Sequence, residues 1–172
     1  MNEVREAKDE DVAELVRVIN RAYTVEASFK TGERTDDAEV RTLLAQDAFL
    51  VIDHPSRHPP GHPPGRSPET SPGGPLAAAV HVALRGERGY FGMLSVDPDH
   101  QGQGLARRLI TAAETYAQGR GCHTMDIHVL SLRTELPPLY RKFGYEVIGT
   151  RPFQTTLRPG YTSHLLVMSK PL

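Results

Sequence analysis

Tryptophan is absent from this 172-residue chain and cysteine occurs once, at Cys122. No apolar run reaches the about 18 residues that a membrane-spanning helix requires. A single cysteine excludes an internal disulfide framework, and Cys122 reads as a small buried residue at the start of a strand rather than as a nucleophile. With neither a spanning segment nor a secretory leader, neither membrane insertion nor export is expected, and a cytoplasmic location is the default. Charge of one sign is also lacking. The 20 Lys and Arg nearly balance the 21 Asp and Glu, and the two signs are mixed along the chain. That leaves no basic stripe to recommend a nucleic-acid partner. Repeats of any period are missing, and the length suits one domain, residues 1–172, with an adequate core.

The most telling stretch is 90–121. A strand-like run over 90–96 meets a turn at Asp97-Pro98-Asp99. The glycine-spaced loop Gln101-Gly102-Gln103-Gly104-Leu105-Ala106 follows, and then an amphipathic helix. Strand, glycine loop and helix in that order leave free backbone N–H groups at the positive end of a helix dipole, which suits an anion. The loop lacks the Lys and Ser/Thr of a nucleoside-triphosphate loop. It is not a dinucleotide fingerprint either, because Arg107 stands where the third glycine belongs. What remains, Q-x-x-G-x-A, resembles the pyrophosphate loop of the GNAT N-acetyltransferase superfamily. Beyond the helix, Gly119 and Gly121 supply a stop, and residues 124–130 alternate with Met125, Ile127 and Val129 on one face, the period of a strand. A short helix then carries Leu136, Leu139, Tyr140 and Phe143 before Gly144. Its string L-Y-R-K-F-G-Y, residues 139–145, is similar to the superfamily's LY-x-x-x-GF signature.

The resemblance implies an α/β (α+β) GNAT fold: a central mixed, mostly antiparallel twisted sheet of about seven strands flanked by about four helices, splayed between the fourth and fifth strands. The remaining sequence agrees with that order. Asp9 is placed to cap a helix over 10–22 with the apolar stripe Val12, Leu15, Val16 and Ile19, and Asp36 with Glu39 reads as a capping box for a helix over 37–46. Residues 48–53 and 76–84 read as strands, 87–89 as a hairpin turn, 146–148 and 164–169 as the last two strands, and 151–162 as a long loop. Residues 54–75 are dense in Pro, Gly, Ser and His and read as a disordered insertion. His54, His58 and His62 recur every four residues, but the intervening prolines forbid the helix that would gather them, so no metal site is expected.

The resemblance also implies acetyl-CoA as cofactor and transfer of its acetyl group to a primary amine by direct attack in a ternary complex. Gln101, Gly102, Gln103, Gly104, Leu105, Ala106 and Arg107 would hold the pyrophosphate, and the backbone of Leu94, Ser95 and Val96 would pair with the pantetheine arm at an edge opened by a bulge. Tyr140 matches the superfamily's general acid towards the coenzyme A sulfur; a phenol is neutral and proton-bearing at pH 7. Many members carry an Asn and an Ala where this chain has Arg133 and Leu136. That departure puts the amide contact of the Asn in doubt and leaves Ser131 or Arg133 to stand in.

No acidic residue lies in 90–96, so the base must come from elsewhere or be water. Glu26, the candidate catalytic base, and Tyr23 lie in the connector that, by the resemblance, overhangs the acceptor pocket. His128 shares the outward face of its strand with Asp126, and His81 and His164 are also on strands. Arg34 and Arg133 could grip an acceptor carboxylate. A small-molecule amine is the expected acceptor, with a protein N-terminus or lysine as an alternative. A non-catalytic acyl-CoA binding or sensing module is a further reading, one that would not require Tyr140. The expected state is monomer or homodimer.

Overall fold

The computed structural model describes residues 3–55, 74–155 and 157–172. Of the expected disordered insertion, residues 56–73, with His58 and His62, lie outside the described residues, while at its ends His54 N donates to Pro75 O at 2.8 Å. Seven strands form one sheet: β1 Val4–Glu6, β2 Ala48–Asp53, β3 Leu76–Arg85, β4 Arg88–Val96, β5 Thr124–Leu130, β6 Glu146–Pro152 and β7 His164–Pro171. Their order is β1-β2-β3-β4-β5-β7-β6, antiparallel throughout except where β4 meets β5. The helices are α1 Val12–Ala22, α2 Asp37–Gln46, α3 Leu105–Gln118 and α4 Leu136–Arg141. This is the element order read from the sequence. No described helix is long and apolar enough to cross a membrane.

Two apolar layers sandwich the sheet. On one face Leu15, Val18 and Ile19 of α1 pack with Val40, Phe49, Val51 and Ala79. On the other, Leu109, Ile110 and Ala113 of α3 pack with Val80, Val82, Phe91, Met125 and Ile127. Strands β2 and β3 lie between both layers, which is why their sequences run apolar without alternation. Each fully buried Leu or Ile contributes about 1.5–3 kcal/mol relative to exposure.

The start of α1 departs from expectation. Residues Asp9–Asp11 form a 3₁₀ turn and α1 begins at Val12. Asp11 rather than Asp9 is the residue with work to do: its carboxylate accepts from the Lys8 amide at 2.8 Å and from both terminal nitrogens of Arg5 at 2.8 and 2.9 Å. Asp36 caps α2 as expected, accepting from Glu39 N at 2.8 Å, but the Glu39 side chain turns to Thr35 Oγ1. Strand β6 runs to Pro152 instead of 148, because its pairing with β7 extends to Pro152 opposite His164.

Candidate functional site

The site begins where the sheet divides. Strand β4 pairs with β5 only from Arg88 to Tyr90, opposite Thr124 to Asp126. Beyond Tyr90 the two strands diverge, which leaves β4 without a partner on that side. Against β3, Ala79 faces Ser95 while His81 faces Gly92, so β4 holds one extra residue there, a bulge. Met93 takes it up at φ 50°, a left-handed conformation that strains a residue with a side chain. Ser95 Oγ donates to Met93 O at 2.9 Å and secures the bulge from within.

After β4, Asp97 is nearly enclosed and ties the chain to α1: Oδ2 accepts from Arg17 Nη1 at 2.7 Å and Arg21 Nη1 at 2.9 Å. The glycine loop follows. Gly102 and Gly104 both sit at φ 76°, with open space where a side chain would project. Gly104 precedes the first turn of α3, and no side chain caps that turn or brings an acid to it. Its amides are therefore available to an anion. Nearby, His100 Nδ1 is buried without a partner among the described residues. Uncapped amides, a bare glycine surface and an orphaned polar atom fit a pyrophosphate. Gly102, Gly104, Leu105 and Ala106 line a cavity of about 270 Å³ that runs past Leu94 and Val96 to Tyr140.

A second cavity, about 230 Å³, opens between the diverging halves of the sheet. Its walls come from β4 and β5, from the 3₁₀ turn Tyr23–Ser28, and from the loop after β6 through Phe153 and Thr155. That turn and loop are fastened together: Arg158 donates from N to Phe29 O at 2.9 Å and from Nε to Ala27 O at 2.8 Å. The two cavities share Tyr23, Leu94, Arg133, Leu136 and Tyr140. Tyr140 is 8% exposed, packed near the rings of Phe91 and Tyr145, and its hydroxyl has no hydrogen-bond partner among the described residues. Burial pushes the pKa of Tyr140 well up, and it does the same to Tyr23 and Tyr90. All three present neutral phenols at pH 7.

His128 sits in the second cavity with its ring 5.1 Å from that of Tyr90. No hydrogen bond reaches its ring nitrogens from the described residues. Burial first, then the nearby Arg151, lowers its pKa below 6.5, so the imidazole is neutral at pH 7 and can accept a proton. Glu26 lines the same cavity, buried, with Oε1 accepting from Arg133 Nη1 at 3.1 Å. Arg133 also reaches Glu135 at 2.6 Å.

Thus Tyr23, Glu26, Arg34, Leu94, His128, Arg133 and Tyr140 converge, and Val96, Gln101, Gly102, Gly104, Leu105 and Ala106 adjoin them. Ser95, Gln103 and Arg107 do not line either cavity. Ser131 is also off the walls: its hydroxyl is 3.0 Å from that of Ser163 and accepts from His164 N at 3.2 Å. His164 meets the site by neither wall, and His81 is buried behind it against Asp47. Cys122 is buried, as expected, with its thiol aimed at Gly86 O. The described residues hold no cluster of metal-ligating side chains. Lys30, His100, Phe153 and Thr155 line the cavities unforeseen. Lys30, Phe153 and Thr155 belong to the connector and the loop expected to shape the acceptor pocket, and the contact of loop with turn brings those side chains to the wall, whereas His100 directly precedes Gln101 of the glycine loop.

The Acetyltransferase (GNAT) family model matches residues 32–145, more than half of the chain. Over 94 residues the chain is 31% identical to the [ribosomal protein bS18]-alanine N-acetyltransferase of Haemophilus ducreyi. That alignment spans 55% of this chain and 64% of the relative. Among solved structures, the ribosomal-protein-S18-alanine N-acetyltransferase of Escherichia coli superposes with a TM-score of 0.74 at 16% identity, covering 99% of this chain and 94% of that one. The yncA protein of Salmonella typhimurium, solved with its cofactor acetyl-CoA, gives 0.69 at 19% identity, covering 99% and 94%. Likeness at such identity speaks for a shared fold.

Proposed function

The chain belongs to the acetyltransferase (GNAT) family, and we propose that it is an acetyl-CoA-dependent N-acetyltransferase that acts on a primary amine of a small molecule. One observation carries the reading: the unpaired hydroxyl of Tyr140 stands in the wall common to the loop cavity and the second cavity. A donor held by the loop and an acceptor in the second cavity would meet beside it.

Acetyl-CoA supplies an activated thioester. The amides of the loop at Gln101, Gly102, Gly104, Leu105 and Ala106 would hold its pyrophosphate, and the open edge of β4 at Leu94 to Val96 would offer backbone groups to the amides of the pantetheine arm. Holding both reactants together supplies much of the rate. The bond that forms joins the amine nitrogen to the acetyl carbon, and the bond that breaks is carbon to sulfur. His128, neutral at pH 7, takes the proton that the amine loses, directly or through water, and Glu26 lies on the same wall to orient the amine. Tyr140 gives its proton to the departing sulfur. A cytoplasmic location belongs to the same proposal.

The relative from Haemophilus ducreyi is named for an alanine of a ribosomal protein, which favours a second reading in which the acceptor amine is a protein N-terminus. Calorimetric titration with acetyl-CoA, desulfo-coenzyme A and ATP, followed by thiol release from a panel of amines and alanine-headed peptides, tests both. Micromolar binding of the two coenzyme A species but not ATP is expected. Tyr140→Phe should preserve that binding while lowering kcat by about 100-fold, the lower range for general acid catalysis. Absence of coenzyme A binding would overturn the reading.

A further inference from the structure

The second cavity is unequally charged. Lys30, Arg34 and Arg133 line it, and Glu26 is the one carboxylate among its described wall residues. Glu26 is already answered by Arg133. That leaves Lys30 and Arg34. The guanidinium of Arg34 lies 5.4 Å from the centre of the Tyr23 ring, and its nearest carboxylate oxygen, on Glu39, is 3.9 Å away. That carboxylate also accepts from Thr35 Oγ1 at 2.7 Å. The ammonium of Lys30 has no hydrogen bond or ion pair among the described residues, although its backbone is fixed: N donates to Glu26 O at 2.9 Å, and the residue bridges to Leu157. Burial and repulsion from Arg34 both disfavour its charge, and Glu26 and Glu39 offset them only in part. Arg151 adds positive potential at His128.

A half-buried ammonium without a partner among the described residues, on a fixed stretch of backbone and repelled by a guanidinium on the same wall, is a costly arrangement in an empty cavity and a favourable one around an anion. The pair offers a planar fork and a point charge, the combination that grips a carboxylate. Resting on the acetyltransferase reading above, we propose that Lys30 and Arg34 form an anion subsite of the acceptor cavity, and that the acceptor is a primary amine bearing a carboxylate. The carboxylate docks at Lys30 and Arg34 while the amine faces His128 and Tyr140. Two sources present this chemistry: a free amino acid with its own carboxylate, and a peptide whose acidic side chain lies next to the amino terminus.

The test compares matched acceptors: amino acids against their carboxamides, and alanine-headed peptides with Asp or Asn in second place. The acid of each pair is expected to have a kcat/KM about tenfold above its neutral partner, as for one charged hydrogen bond kept or lost. Preference confined to the amino acids, or to the Asp peptides, identifies the source. In Lys30→Met and Arg34→Gln the acid-to-neutral ratio should fall towards one, mainly through KM, and Arg34→Lys should recover part of it. Calorimetry with the N-acetylated acid and its amide reads the same preference without turnover. Normal acetyl-CoA binding with acid and neutral acceptors used alike would overturn the subsite and leave the acetyltransferase reading standing. Failure of acetyl-CoA to bind would remove both.

Discussion

In the reaction we propose, Tyr140 and His128 divide the two proton problems of acetyl transfer between them, and the surroundings of each suit that role. Tyr140 is enclosed by apolar rings, so its proton is held at pH 7 and its hydroxyl is spare. His128 lies on the wall of the second cavity, where burial and Arg151 outweigh the attraction of Asp126 and lower its pKa. Asp126 is itself occupied by Arg88, at 2.6 and 2.8 Å. A lowered histidine pKa means that the base form prevails above it and is lost as pH falls through it. The acceptor amine titrates too, so a single pH profile mixes both. The ratio of wild-type kcat/KM to that of His128→Gln removes the common part. It is expected to rise with pH through a value below 6.5 and then stay level. A ratio independent of pH would assign proton removal to water.

At the scale of elements, the site depends on how β4 ends. Asp97 fastens that end to α1 through Arg17 and Arg21, and its Oδ1 accepts from Asp99 N at 3.1 Å to start the turn into the loop. Asp97→Ala leaves two guanidinium groups facing one another across a nearly enclosed position. The change should cost about 1–3 kcal/mol in urea unfolding and raise the Kd for acetyl-CoA, because the loop loses its anchor; unaltered acetyl-CoA affinity would show that the loop stands without it. Local chemistry explains what was readable beforehand. The positive φ at Gly102 and Gly104 needs glycine, the amphipathic pattern fixes α3, and the aromatic string from Leu139 to Tyr145 brings Tyr140 to the core. What could not be read depends on distant partners. The start of α1 turns on Arg5, which Asp53 of the neighbouring strand holds in place to reach Asp11, and the cavity wall at Lys30, Phe153 and Thr155 depends on Arg158 bonding to Ala27 and Phe29. No periodicity reports such long-range bonds.

For the whole molecule, folding and protonation are linked through groups on both sides of the sheet. His81 is buried in β3 beside Phe49, its Nε2 3.0 Å from Asp47 Oδ2, where burial outweighs the pull of that carboxylate and lowers its pKa. The neutral ring donates to Asp47, which Arg85 also holds. Asp11, Asp47, Asp97 and Asp126 are in turn kept below the ordinary carboxylate value of 3.8, Asp11 chiefly by its bonds to Arg5, the other three by arginine and further donors that outweigh the cost of burial. All these shifts are downward, so the folded chain binds protons less readily than the unfolded one. Stability is therefore full above the unfolded values and falls with pH, first below about 6.5 for the histidines and again below about 3.8 for the aspartates. Calorimetric Tm measured from pH 8 to pH 3 should decline in those two stages. His81→Gln still offers a donor to Asp47 but does not titrate, and it should flatten the first stage while leaving the second. A first stage that persists in full in this variant would move its origin to His128, on the wall of the second cavity, and stability and catalysis would then share one titrating group.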